Sequence, residues 1–110
     1  MGYIKHNAMV LTSWEGGHIQ QAHKAANEIL GDEIVSDLVG PLANGQRSFF
    51  IAPDGSKEGW QESDDYDSKR NAFIAWLKEK NLYVEWVHLS IGSDNEEDTE
   101  ILEIGKYREE

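Results

Sequence analysis

Four histidines and two runs of carboxylates are the side chains of this 110-residue chain that could do acid–base or ligating chemistry. His18 and His23 are five residues apart, which on a helix turns them about 140° from one another, so they make no i, i+4 metal pair. His6 and His88 lie on candidate strands that are expected to be neighbours, where the two rings would meet. Such a pair is ordinarily structural, and a small hydrolase using His6 or His88 with a carboxylate is the weakest function considered. Thr12 and Ser13 close a strand, but no nucleophile elbow or ordered triad surrounds them. The chain has no cysteine, which excludes disulfides, thiolate metal sites and a cysteine nucleophile. It also has no P-loop, no G-x-G-x-x-G and no RNP-type aromatic motif. No catalytic residue, cofactor site or metal site is assigned, and a non-enzymatic role is expected.

The carboxylates form two clusters: Glu58, Glu62, Asp64, Asp65 and Asp67, then Asp94, Glu96, Glu97, Asp98 and Glu100. The second lacks the twelve-residue calcium pattern with its central glycine, so a solvated loop is the plain reading. Taken together, the clusters can imitate a row of phosphates and dock on a basic groove. The net charge of −11 opposes direct binding to DNA or RNA, which needs cations that release counterions. It suits solubility or a basic protein partner. Trp60 and Trp14 sit in or beside loops. There an indole either folds over a core edge or anchors an interface. The residues expected at a protein interface are Trp60, Trp86, Glu58, Glu62, Asp64, Asp65, Asp94, Glu96, Glu97 and Asp98.

The elements that must position these groups follow from hydrophobic period and turn chemistry. Residues 3–12 read as a strand whose apolar centre, Ala8 to Leu11, suggests a central position in a sheet. Gly16-Gly17 break it, and a helix is expected from about His18 to Leu30, with Ile19, Ala22, Ala26, Ile29 and Leu30 on its inner face and Gly31 as its stop. Residues 34–39 give a second strand, irregular near Gly40-Pro41. Asn44-Gly45 is a type I′ hairpin signal, because both central residues take positive φ, and it leads into a third strand over 47–52. Pro53-Asp54-Gly55 is turn chemistry.

A second helix is expected from about Asp65–Ser68 to Asn81, with acids at its start, Lys78 and Lys80 at its end, and Phe73, Trp76 and Leu77 inside. Residues 83–91 alternate, placing Val87, Leu89 and Ile91 on one face and Val84, Trp86 and His88 on the other. An acidic loop leads to a last strand around 99–104, and 106–110 read as a frayed tail. The order β-α-β-β-α-β matches an α+β, ferredoxin-like two-layer sandwich with an added C-terminal edge strand. With both helices on one face, Trp86 and Val84 are expected on the open face, where an exposed apolar surface marks a partner or a homodimer contact.

The length fits one domain spanning 1–110. No apolar run approaches the ~20 residues that span a bilayer, and the start lacks a signal-peptide core, so a cytoplasmic protein with no membrane partner is expected.

Two segments carry a resemblance. Tyr3-Ile4-Lys5-His6-Asn7-Ala8 with Val10 and Thr12-Ser13-Trp14 is one. The other is Ser48-Phe49-Phe50-Ile51-Ala52-Pro53-Asp54-Gly55-Ser56-Lys57-Glu58-Gly59-Trp60 with Glu62-Ser63-Asp64. Together they resemble a group of small acidic bacteriophage-encoded proteins with no assigned activity. The resemblance implies a context and carries over no site residue. The function expected is a phage protein that binds and inhibits a host protein, such as a basic nucleic-acid-handling or immune effector, in the manner of an anti-CRISPR. The alternative is a sponge for a nucleotide immune signal, which needs a pocket with cationic groups such as Lys5, Arg47 or Lys57 beside an aromatic ring, expected at a dimer interface.

Overall fold

A computed structural model of the chain describes residues 5–57, 59–92 and 95–109. The strand β1 (Lys5–Ser13) is followed by helix α1 (Gly16–Leu30), strand β2 (Arg47–Ile51), helix α2 (Gln61–Lys80) and strands β3 (Glu85–Gly92) and β4 (Glu100–Gly105). The sheet order is β2-β1-β3-β4, with every pairing antiparallel. This is the ferredoxin-like α+β arrangement with β4 added beside β3.

The expected second strand is present only as two isolated bridges, Val35 to Ile51 and Val39 to Ser48, along the outer side of β2. Gly40-Pro41 stops its ladder, and the Ser36 hydroxyl accepts the Phe50 N–H at 2.8 Å. The Asn44-Gly45 turn forms as its residues require. Both have positive φ, 59° and 74°, and Gln46 N–H closes the turn on the Ala43 carbonyl at 3.1 Å.

Both helices start earlier than the sequence suggests. The Ser13 hydroxyl holds Glu15 N–H, and the Glu15 carbonyl accepts from His18 and Ile19, so Gly16-Gly17 form the first turn of α1 rather than a break. Helix α2 starts at Gln61, directly after Trp60, with Glu62 and Asp64 in the first turn and Lys78 and Lys80 in the last, matching the helix dipole. Its buried stripe is Arg70, Phe73, Ile74 and Leu77. The segment after β4 is tied back: Arg108 exchanges two hydrogen bonds with the Asn81 side chain, and the Tyr107 ring stacks on Tyr83.

The core lies between the helices and one sheet face, built on Met9, Leu11, Ile19, Phe49, Ile51 and Phe73. Trp86 and Val84 belong to it, contrary to the sequence expectation. Pairing fixes the phase of β3: Trp86 stands opposite Leu11 and His88 opposite Met9, both fully buried under the helices. Alternation distinguishes two faces, but only the neighbouring strand decides which one is covered. Val10, Phe50, Ile91, Ile101 and Ile104 therefore make the open face, and all five are exposed. Among the described residues no helix is long and apolar enough to cross a membrane.

Candidate functional site

The N-terminal half of α2 and the β3–β4 connection form the two walls of a groove of about 540 Å³. Ser63, Asp67, Arg70 and Asn71 come from α2. Glu97 and Asp98, from a single 3-10 turn (Glu96–Asp98), stand opposite with Glu100 and Leu102 of β4. Asn7, His88 and Ser90 of the central strands lie between the walls. The spacing 63, 67, 70, 71 places four side chains on one stripe of α2. The Asn95 side chain caps the 3-10 turn by accepting from Glu97 N–H at 3.1 Å, which holds its carboxylates over the groove.

Arg70 is the unusual member. Its side chain is 2% exposed, and Nη2 donates to Asp67 Oδ1 at 2.8 Å with Asp54 Oδ1 at 3.9 Å. The Asp54 side chain is 6% exposed and accepts from the Ser56 hydroxyl. A buried cation is tolerated only when paired, and these two carboxylates supply the pairing. Nη1 has no hydrogen-bond partner, and neither does Nε2 of His88 in the same groove. Burial, reinforced by the Arg70 charge, lowers the His88 pKa below 6.5, while Glu103 and Asp67 oppose the shift. The imidazole is accordingly neutral at neutral pH.

The structure separates the residues that the sequence grouped. Asp67 of the first cluster and Glu97, Asp98 and Glu100 of the second line the same groove, so the two acidic runs do converge. Asp64 borders the groove stripe of α2, whereas Glu62 and Asp65 turn away from it, and all three are exposed. Glu96 is exposed on the 3-10 turn. Glu58 and Asp94 lie outside the described residues. Trp60 is exposed at the start of α2, with Lys57 Nζ 5.9 Å from its ring centroid, and it does not line the groove. Trp86 is in the core, 7% exposed.

The histidines are likewise dispersed. His6 pairs with Ile91 on the open face while His88 points toward the helices, so the two do not meet. His18 Nδ1 accepts from Tyr83 N–H at 3.0 Å, and His23 Nε2 donates to the Ser36 carbonyl at 2.8 Å. Both are structural. Trp14, 60% exposed, leans on Tyr83 at the far end of β1 from the groove. Arg47 lies against Gly16 at the start of α1, and the Lys5 side chain lies outside the described residues. Of the cations named for a nucleotide site, Lys57 stands beside the Trp60 ring and Arg47 beside Gly16, and neither lines the groove. Among the described residues no group of three or more His, Cys, Asp or Glu side chains is placed to hold a metal ion.

Arg70 was missed in the sequence, although a signal was there. It sits three and four residues before Phe73 and Ile74, a cation at a core position of an amphipathic helix. Comparison with protein-family models, with curated proteins and with solved structures gives no match.

Proposed function

We propose that this protein is a non-enzymatic binding module that docks on a basic surface of a partner protein through the acidic groove between α2 and the β3–β4 connection. The observation that carries this reading is the convergence of Asp67, Glu97, Asp98 and Glu100, from two distant sequence clusters, on one groove. In a chain of net charge −11, a basic partner is attracted at long range and oriented by the local excess of carboxylates. The resemblance to phage proteins gives the biological form of the proposal: an inhibitor acting in the host cytoplasm on a nucleic-acid-handling or immune effector, occupying the surface that would otherwise hold phosphates. The open apolar sheet face is assigned in the same reading to self-association.

Affinity capture from a bacterial host lysate tests this, comparing the parent chain with a Asp67→Asn, Glu97→Gln, Asp98→Asn, Glu100→Gln variant. A basic nucleic-acid-handling protein retained by the parent, released by salt and lost in the variant is the expected result. Equal retention by the two chains in high salt would refute charge-driven docking.

The nucleotide-sponge reading is not favoured by the site. The groove carries carboxylates on both walls, which repel phosphate, and Arg47 and Lys57 do not line it.

A further inference from the structure

The acidic walls account for attraction to a basic partner but not for Arg70. This side chain is 2% exposed, lies in the groove, and has one terminal nitrogen, Nη1, with no acceptor. His88 Nε2, unpartnered in the same groove, repeats the pattern. A buried guanidinium N–H left unmade is costly, so an acceptor brought to it would be stabilising.

Charge decides which acceptor. Arg70 is already flanked by Asp67 and Asp54, and Glu97 and Glu100 stand on the opposite wall. A carboxylate or phosphate entering there meets more negative charge than positive. A neutral carbonyl oxygen meets no such opposition, and its carrier gains if it also brings cations to the walls. Peptide backbone bearing lysine or arginine side chains satisfies both conditions.

We propose that the groove binds an extended lysine- or arginine-bearing segment of the partner protein, one backbone carbonyl of which accepts from Arg70 while neighbouring cations lie along Asp67, Glu97 and Glu100. This rests on the reading of the groove as a docking surface for a basic protein and names what occupies it. Nη1 has no open surface as the groove stands, so the carbonyl reaches it through rotation about the terminal bonds of Arg70. Asp67, whose side chain is 49% exposed, is free to follow that rotation.

The full chain is titrated with a blocked Gly-Lys repeat peptide and with spermine, matched in positive charge, while the Arg70 side-chain N–H resonances are followed by NMR. The peptide is expected to bind about tenfold or more tightly than spermine, as a charge-assisted hydrogen bond implies. Only the peptide should move the Arg70 resonances, and Arg70→Met should bring the peptide down to the spermine level. Equal binding of the two probes with the Arg70 resonances unmoved would overturn the carbonyl contact and leave acidic docking standing. Binding of neither probe would overturn both. Should Arg70→Met fail to fold, the resonances of the parent chain decide the matter alone.

Discussion

Replacing Trp86 with alanine removes the largest aromatic side chain that β3 contributes to the core. Trp86 is 7% exposed, so nearly all of its surface is withdrawn from water. A tryptophan buries about 150–250 Å². At about 25 cal/mol per Å² this sets an upper bound of about 4–6 kcal/mol. Large-to-small core substitutions cost about 3–5 kcal/mol, which agrees with that bound. A domain of this size has about 5–15 kcal/mol of stability in all, so Trp86→Ala consumes a large share of it. With about 4 °C per kcal/mol, the midpoint should fall by about 12–20 °C. Thermal and urea unfolding followed by far-ultraviolet circular dichroism measures the loss. Trp60→Ala, exposed at the start of α2, should change stability by no more than about 0.5 kcal/mol in the same assay. A Trp86→Ala chain within about 1 kcal/mol of the parent would refute the placement of Trp86 under the helices and return it to the open face.

Three further outcomes follow from particular contacts. A Cβ added at Gly105 would stand 2.1 Å from the Trp86 ring, so Gly105→Ala should cost about 1–3 kcal/mol in urea unfolding, and an unchanged midpoint would contradict that packing. The His88 pKa is lowered in the folded chain, so the unfolded chain takes up the proton first as pH falls. The stability linked to His88 is therefore complete above its ordinary value of 6.5 and is lost as pH falls below it toward the folded value. Thermal midpoints across that range should decline less for His88→Gln than for the parent, and parallel declines would contradict the linkage. If the open sheet face pairs two copies, sedimentation velocity should show a dimer that Val10→Asp converts to a monomer, whereas a parent chain that is monomeric at every concentration would refute the pairing.

Much of the fold is legible in the sequence, because turn chemistry and period are local. Asn44-Gly45 dictates its turn through two positive φ values, and Gly31 ends α1. What was not legible depends on partners distant in the chain. Alternation in residues 83–91 separates Trp86 from Val87, but only the register against Leu11 and Val10 shows which of them is covered. The segment expected as a strand over 34–39 keeps four backbone hydrogen bonds to residues 48–52, but its ladder is interrupted where the Ser36 hydroxyl takes the Phe50 N–H. The site was half legible. The acidic clusters were visible as composition, while their meeting across a groove depends on the sheet order that places β4 beside β3 and on α2 starting at Gln61. Arg70 was hidden because a helix stripe is ordinarily read for its apolar members.

The central claim is that the groove between α2 and the β3–β4 connection is the docking surface for a basic protein partner. Hydrogen–deuterium exchange of the full chain, with and without the captured partner, tests it directly. Protection confined to residues 61–71 and 96–102, abolished by the four groove neutralisations, is the predicted result. Protection centred on the open face of β1 and β3, or on Trp14 and Tyr83, with the groove unchanged would contradict it.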